Sequence, residues 1–390
     1  MKIALVKRRY SLKSGGSERY CVMLARGLMA AGHRVTVIGH QIDDELRGEV
    51  RFMPVPVSRW SSSTKNRSFA VNCAHAIRAG RFDVAYGLGR AYGIDAVRVT
   101  ERLQSHWLRV YYKPGFAQRL QQLNPRHRTL IELERRIYLA DSTRRIVTQS
   151  RLDRELLMKY YGVPDEKIRI IYNGIDSQLF HADVRFEREQ TRRKFGLPMN
   201  APLLVFASMD FEGKGLKTIL QSLADLKHLG LHLLVLGTGP IQQFHNYARS
   251  LGIERQVVFA GRQSDIANCY GAGDLFILPT EYEPFPNVNL EAMACGLPVL
   301  TTMTSGGADI INDRQNGYLI PTRNSLSDMS GSLTDFFQLT ESQRAQMSRH
   351  AIETAKKFPI QNTINNTLVM LEELCHVRAG VTQTSTRLAA

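Results

Sequence analysis

Short apolar runs alternate with amphipathic segments along most of this chain, and this alternation restricts the folds it can adopt. The runs predict two groups of strands, at residues 3–6, 35–38, 84–86 and 146–148, and at 203–207, 231–236, 257–259, 275–278 and 299–301. Because helical segments separate the strands, the pattern predicts parallel sheets covered by helices on both faces. A chain of 390 residues is too long for one ordinary core. We therefore expect two doubly wound α/β domains.

The predicted boundary between the two domains lies at Asn173-Gly174, because Asn-Gly is a turn signal and a polar segment follows before the next strand. The predicted domains are residues 1–172 and 173–357. Helical spacing predicts a further helix at about 358–378. The small and polar residues 379–390 predict a disordered tail.

Composition limits the class of protein. Hydrophobic residues make up 43% of the chain and charged residues 22%, as in globular proteins. No apolar stretch approaches the roughly 18 residues of a membrane span. The first apolar run is charged again at Lys7, which makes it too short for a signal peptide. The five cysteines show no CxxC pair, so we expect reduced thiols in a cytosolic protein and no zinc site.

Two glutamates, Glu283 and Glu291, lie eight residues apart between two predicted strands. Proline disfavours helix at the residue before it, so a helix can begin only after Pro286. Glu283 then lies on a loop and Glu291 about one turn into the helix, both at the carboxyl edge where parallel sheets bind ligands. The first amides of this helix, near Asn287 and Val288, suit a phosphate. A capped, solvated helix is the alternative interpretation of such a glutamate pair.

The stretch at residues 283–299, EPFPNVNLEAMACGLPV, resembles the signature of family 4 retaining glycosyltransferases. This resemblance implies the GT-B fold, in which two Rossmann-like domains face each other across an active-site cleft. It also implies that the helix at about 358–378 crosses back and packs on the first domain. It also implies transfer of a hexose, with retention of configuration, from a nucleotide diphosphate sugar such as UDP-glucose. In the family the acid at the position of Glu283 contacts the donor sugar, and the acid at the position of Glu291 binds the ribose. No metal is expected, since no Asp-x-Asp motif accompanies the sugar site.

Glycines mark a second candidate site at Gly15 and Gly16, between the first strand and the first helix. Glycine lets a backbone approach a ligand closely, and the helix start can then offer amides to a phosphate. A tight turn explains the same two residues. With the glutamate pair in the same chain, they resemble the glycine-rich loop that GT-B enzymes direct at the donor diphosphate.

Lys214 lies between two glycines at a predicted helix start, where a cation is electrostatically disfavoured. This placement indicates a bound anion, although solvated lysines also occur there. In the family, a lysine at this position contacts the donor phosphates beside an arginine. Gly213 and Met209 stand at the arginine positions here, so the cationic clamp is thinner or is completed by another residue such as Arg262.

A basic aromatic stretch at residues 102–138 carries eight Lys or Arg side chains against two Glu, a formal +6, within a chain of net charge +15. Aromatic and basic side chains together suit a bilayer interface with anionic lipids. A solvated basic helix pair is the alternative, and no RNA- or DNA-binding motif supports a nucleic-acid partner. The predicted membrane or acceptor contacts are Trp107, Arg109, Tyr111, Tyr112, Lys113 and Arg119.

The same stretch resembles the membrane-contacting insertion of bacterial lipopolysaccharide core glucosyltransferases, which place an acid at the position of Glu101, facing the active site. The resemblance implies a lipopolysaccharide inner core or similar anionic saccharide as acceptor. It implies a cytoplasmic protein attached peripherally to the inner face of the inner membrane. Two alternatives remain open: a non-catalytic sugar-nucleotide or saccharide-binding protein with a GT-B shell, favoured by the missing arginine, and a GT-B sugar-nucleotide epimerase.

Overall fold

The structure is a computed structural model that describes residues 1–112 and 115–387. It divides into two compact units. The first unit contains Met1–Tyr172 and the chain from Gln361 onward, and the second contains Asn173–Ile360. The first crossing between the units falls at the predicted boundary. The second crossing lies three residues beyond the predicted end of the second domain at residue 357.

The first unit is built on a seven-stranded parallel sheet. The strands are β1 (Lys2–Val6), β2 (Arg9–Tyr10), β3 (Arg34–Gly39), β4 (Gln41–Ile42), β5 (Arg51–Pro54), β6 (Val84–Gly87), β7 (Ala96–Arg98), β8 (Arg145–Thr148) and β9 (Ile168–Ile170). Their order in the main sheet is β5-β3-β1-β6-β7-β8-β9, and β2 pairs with β4 separately. In the central register, Leu5 lies between Val37 and Tyr86. The predicted strands match β1, β3, β6 and β8, and the prediction missed β2, β4, β5, β7 and β9.

Among the described residues, the α-helices before the first crossing between units are α1 (Gly16–Ala30), α2 (Ser62–Gly80), α3 (Gln104–Tyr111), α4 (Phe116–Leu123), α5 (Pro125–Tyr138) and α6 (Arg151–Tyr161). Local chemistry sets several of their starts. Ser61 and Thr64 form a reciprocal capping box at α2, and the Ser150 hydroxyl accepts from the amide of Asp153 at α6. Pro125 opens α5, where its missing N–H costs nothing.

The second unit contains a six-stranded parallel sheet. Its strands are β10 (Leu203–Ser208), β11 (His232–Gly237), β12 (Val257–Gly261), β13 (Leu275–Leu278), β14 (Val299–Thr302) and β15 (Gly317–Ile320), in the order β12-β11-β10-β13-β14-β15. Its helices are α7 (Arg188–Lys194), α8 (Leu216–Asp225), α9 (Ile241–Ser250), α10 (Ile266–Gly271), α11 (Asn287–Ala294), α12 (Leu326–Gln338) and α13 (Glu341–Ala355). The five predicted strands match β10 to β14. Since β13 and β14 are buried along their whole length, they read as continuous apolar runs.

The last helix, α14 (Ile360–Arg387), belongs to the first unit from Gln361 onward. It is held there by Arg144, which donates to the carbonyl of Leu374 at 2.7 Å, and by Arg169, which lies 2.8 Å from Glu373. The prediction of a disordered tail from residue 379 is corrected for residues 379–387, which are helical. No proline interrupts this segment, and extending a formed helix costs far less than nucleating one. Residues 388–390 lie outside the described residues.

Candidate functional site

The segment between β13 and β14 places the two glutamates as the sequence predicts. α11 begins directly after Pro286, so Glu283 lies on the preceding loop and Glu291 on the helix. The amide of Gly306 donates to the carbonyl of Glu283 at 2.9 Å, which ties the loop to the chain that follows β14. Glu291 accepts a hydrogen bond from the Tyr270 hydroxyl at 3.1 Å. Both carboxylates thus have defined positions at the carboxyl edge of the second sheet.

Lys214 and Glu283, 69 residues apart in sequence, form an ion pair in which the lysine ammonium donates to the carboxylate. The lysine side chain is 12% exposed and the glutamate 26%. Gly215 allows this contact, since it has a φ of +80° and a Cβ there would lie 2.5 Å from the carbonyl oxygen of Pro279. The close approach of these two loops brings together the cation and the acid that the sequence indicated separately.

The prediction that Arg262 completes the cationic clamp stays a prediction, and the structure places a second arginine at the Lys214 loop. Arg262 lies exposed just after β12, and β11 separates β12 from β10, the strand before Lys214. A different arginine, Arg323, contacts the lysine loop, since its guanidinium donates to the carbonyl of Glu212 at 3.2 Å. Its Nε also lies 3.2 Å from the Glu281 carboxylate. Sequence reasoning missed Arg323. The feature that could have identified it as a candidate site residue is its position three residues after the short strand β15.

The start of α11 is polar. The side-chain oxygen of Asn287 accepts from the Asn173 amide at 2.6 Å, while Val288 is partly exposed. Asn289 is fully buried, and among the described residues neither the nitrogen nor the oxygen of its side-chain amide has a hydrogen-bond partner. An unsatisfied buried amide costs about 1–3 kcal/mol. A polar ligand at this helix start would offset that cost, and no sequence signal set Asn289 apart from Asn287.

The surroundings of Tyr270 keep its hydroxyl protonated. Burial raises the pKa of Tyr270 well above its ordinary value, and the neighbouring carboxylate of Glu291 raises it further. The tyrosine therefore stays protonated and donates its hydroxyl hydrogen to Glu291.

In the first unit, the predicted glycines lie at the start of α1. Gly15 is the residue that precedes the helix and Gly16 is its first residue. Beside them lies Lys7, a buried lysine that donates to the Ser17 hydroxyl at 2.8 Å and lies 3.5 Å from Glu18. Sequence analysis used Lys7 only to reject a signal peptide. The position of Lys7 directly after β1 could have marked it as a candidate site residue.

Glu101 belongs to a network that the sequence did not reveal. Arg90 forms ion pairs with Glu101 and with Glu134, which is 1% exposed. The Tyr161 hydroxyl and the amide of Gln104 also donate to Glu134. Arg90 lowers the pKa of Glu101, with smaller contributions from the nearby cations Lys7 and Arg8. The ionised form of Glu101 is therefore favoured.

The basic aromatic stretch forms α3, α4 and α5. The rings of Trp107 and Tyr111 stack with centroids 4.4 Å apart, and Tyr112 meets Trp107 edge-on at 5.8 Å. The Arg109 guanidinium lies 4.6 Å from the centre of the Tyr160 ring. Arg119 is exposed on α4, whereas Lys113 lies outside the described residues. Throughout 1–112 and 115–387, no helix has the length and apolarity needed to cross a membrane.

Metal-ligating side chains are scattered. In the part of the chain that the structure describes, no group of three or more His, Cys, Asp or Glu side chains is placed to hold a metal ion. The five cysteines are free thiols, and four of them are buried. These thiols therefore lie in the protein interior as small apolar groups.

Comparison with known proteins decides the family. A family model described as glycosyl transferases group 1 matches residues 187–357, and one described as glycosyltransferase family 4 matches residues 14–179. A probable transglycosylase of Burkholderia thailandensis is 30% identical over 300 residues, which cover 76% of each chain. This chain belongs to the family 4 glycosyltransferases. The lipopolysaccharide glucosyltransferase WaaG of Escherichia coli is also similar, at 26% identity over 78% of this chain and 82% of that protein.

Solved structures agree on the fold of this glycosyltransferase. The crystal structure of WaaG matches with a TM-score of 0.81 and 23% identity, over 95% of this chain and 99% of that one. A structure of Anabaena HepE in complex with UDP-glucose matches with a TM-score of 0.71 and 18% identity, over 95% of this chain and 100% of that one. The GT-B fold, with two Rossmann-like domains, is thereby confirmed.

Proposed function

We propose that this glycosyltransferase transfers a hexose, with retention of configuration, from a nucleotide diphosphate sugar to an anionic saccharide. The proposed donor is UDP-glucose and the proposed acceptor is a lipopolysaccharide inner core or a similar phosphorylated saccharide. The relatives support this choice, since one is named a lipopolysaccharide glucosyltransferase and another matching structure contains UDP-glucose.

The ion pair between Lys214 and Glu283 is the observation that carries the proposal. A mostly buried ammonium beside a carboxylate can bind a diphosphate and a sugar hydroxyl at adjacent points. Glu291, oriented by Tyr270, would accept from the ribose hydroxyls. The first amides of α11, at Asn287 and Val288, would face phosphate oxygens. Buried Asn289 would find a polar partner in the same ligand.

The proposed chemistry needs few protein groups. As the bond between sugar and diphosphate breaks, negative charge grows on the leaving phosphate, and Lys214 would stabilise it. The phosphate, held on the same face of the sugar as the incoming hydroxyl, would accept the proton of that hydroxyl. Glu283 would hold the sugar in position. The reaction would then be accelerated by the orientation of the reacting groups, and no protein side chain would act as a base.

Residues of the first unit are proposed to contact the acceptor, the donor diphosphate and the membrane surface. Glu101, kept ionised by Arg90, would accept a hydrogen bond from a hydroxyl of the acceptor. The glycines Gly15 and Gly16 would leave room at the start of α1 for the donor diphosphate. The basic aromatic stretch, with Trp107, Tyr111 and Arg119, would rest on an anionic inner-membrane surface. We propose no metal cofactor for this reaction, so excess EDTA should leave the rate unchanged.

A panel of sugar nucleotides tests the reaction. A bound donor raises thermal stability by mass action, so UDP-glucose should give the largest shift in melting temperature. Slow release of UDP without acceptor, and faster release with a phosphorylated core oligosaccharide, would support a transferase. Stabilisation without UDP release would indicate a non-catalytic binding protein. Conversion of the donor to its epimer would indicate an epimerase instead.

Vesicle co-sedimentation tests the membrane contact. Each basic side chain near an anionic bilayer contributes about 1 kcal/mol, and salt screens it over a Debye length of about 8 Å at physiological strength. We expect binding to anionic vesicles at low salt, partial binding at physiological salt and weak binding to neutral vesicles. Replacing Arg109, Lys113 and Arg119 with serine should release the protein. Unchanged binding in that variant would assign the positive charge to the acceptor saccharide.

A further inference from the structure

Trp60 is exposed to an unusual degree for its size. It lies on the loop between β5 and α2, and 96% of it is accessible to solvent. Tryptophan is among the residues that gain most from burial, because its ring removes a large apolar area from water. The exposed face of this ring is therefore available to pack against a ligand.

The loop that carries Trp60 is held in place. The amide of Ser58 donates to the Ser68 hydroxyl at 2.9 Å, and the side chain of Asn72 donates to the carbonyl of Pro56 at 2.8 Å. On its other side, Ser61 caps α2 together with Thr64. The backbone on both sides of the ring is therefore anchored. A platform that is ordered before binding spares the entropy cost of ordering it afterwards.

Polar groups lie close to this loop. The Arg8 guanidinium, on the segment that follows β1, donates to the side-chain oxygen of Asn66 at 3.4 Å. The Asn66 side chain in turn donates to the carbonyl of Ser62 at 2.7 Å, two residues from Trp60. With a rise of 1.5 Å per residue, Asn66 lies about 6 Å along α2 from Ser62. The ring, the amide and the cation thus share the carboxyl edge of the first sheet, where α/β folds bind ligands.

We propose that Trp60 is a stacking platform for a sugar ring of the acceptor, with Asn66 and Arg8 binding its hydroxyl and anionic groups. This inference rests on the proposed function. A pyranose has an apolar C–H face that packs on an indole ring, while its hydroxyls project outward to hydrogen-bonding groups. A phosphate on the acceptor would be recognised by the Arg8 guanidinium.

The residues around Trp60 favour a saccharide over a lipid surface. The sequence from Ser58 to Thr64 is Ser-Arg-Trp-Ser-Ser-Ser-Thr, which offers a single apolar side chain among hydroxyl groups. A segment that inserts into a bilayer interface normally presents several apolar residues on one face. Serine and threonine hydroxyls beside one aromatic ring match the mixed polar and apolar surface of a sugar instead.

The test combines kinetics with fluorescence on the full chain. With UDP-glucose as donor and a delipidated, phosphorylated core oligosaccharide as acceptor, Trp60→Ala should raise the KM for the oligosaccharide roughly tenfold. Its rate of UDP-glucose hydrolysis without acceptor should stay unchanged. Trp60→Phe should restore most of the affinity, since it keeps an aromatic face. Phe186→Ala is the matched control, because Phe186 is an exposed aromatic side chain of the second unit, 86% accessible.

Fluorescence separates this inference from the reaction itself. The chain has two tryptophans, so the emission of wild type minus that of Trp60→Phe reports on Trp60. A saturable change in that difference on adding the oligosaccharide supports the platform, even if no sugar transfer is detected. An unchanged KM and no emission change would overturn the inference. A variant that keeps its KM but loses binding to anionic vesicles would overturn it in favour of a membrane anchor.

Discussion

Each unit places an acid beside a cation at the carboxyl edge of its sheet, but the two pairs are supported differently. In the second unit, Lys214 and Glu283 meet because glycine lets two loops approach closely. In the first unit, Arg90 holds Glu101 while it also neutralises the buried Glu134. One pair is positioned by backbone and the other by a side-chain network. We therefore expect substitutions of Lys214 or Glu283 to leave the stability of the second unit largely unchanged. A substitution of Arg90 should destabilise the first unit.

Removing Arg90 should show the largest effect, because it would leave the Glu134 carboxylate buried without its cation. We expect Arg90→Ala to lower the free energy of unfolding by about 3–5 kcal/mol in urea titrations. The matched control is Arg67→Ala, which breaks the exposed pair with Glu132 and should cost about 0–1 kcal/mol. Equal losses in the two variants would mean that the network does not stabilise the first unit.

The second pair should affect turnover rather than folding. We expect Lys214→Ala or Glu283→Ala to lower turnover by about 100- to 1000-fold, since either change removes a group positioned at the reacting centre. Lys217→Ala is the control, because Lys217 is an exposed lysine on the neighbouring turn of α8. Steady-state rates and urea titrations on the same samples separate the two effects. A folded variant with near-normal turnover would remove that residue from the proposed mechanism.

The affinity for UDP should distinguish the contributions of Glu291 and Tyr270 in the second unit. We expect Glu291→Ala to weaken UDP binding by about 1.5–3 kcal/mol, the value of a hydrogen bond to a charged group. Tyr270→Phe should have a smaller effect, because it removes the orienting hydroxyl and leaves the carboxylate. Isothermal titration of UDP against the three proteins measures this order. If wild type and Glu291→Ala bind UDP equally, Glu291 lies outside the nucleotide site.

The smallest expected effect concerns acid. Arg90 lowers the pKa of Glu101, so this glutamate stabilises the fold above its unfolded pKa of about 4.3 and loses that contribution as pH falls through the folded value. The Glu101 side chain is 50% exposed and screened by solvent, which limits the contribution to about 1 kcal/mol or less. Glu101→Gln should therefore show a shallower loss of stability than wild type in urea titrations between pH of about 5 and 3. Parallel curves would contradict the pairing.

Part of the fold could be predicted from the sequence, and the strands of the second sheet show why. The strands β10 and β11 have six residues each, and β13 and β14 are fully buried, so their apolar residues stand out from the flanking segments. β7 and β9, which the sequence did not predict, contain three residues each. Runs this short carry too little pattern to separate strand from loop. Their pairing partners in the sheet, rather than their own sequence, make them strands.

Among the site residues, local chemistry specified the segment from β13 to α11. Pro286 stops a helix from starting earlier, so the positions of Glu283 and Glu291 follow from nearest neighbours alone. The glycines on either side of Lys214 similarly indicated a loop whose backbone can lie close to another segment. These features depend on backbone dihedral preferences that each residue carries with it, whatever the rest of the chain does.

The tertiary structure decided which distant residues meet. Arg90 and Glu134 are 44 residues apart, and their contact depends on the packing of α5 beside the loop after β6. Arg323 reaches the loop of Lys214 across 111 residues, because the order of strands in the second sheet brings both loops to one edge. Local sequence encodes helices, strands and turns through short-range sterics and hydrogen bonds. Contacts between such residues arise only when whole elements pack, so no pattern within a short window specifies them.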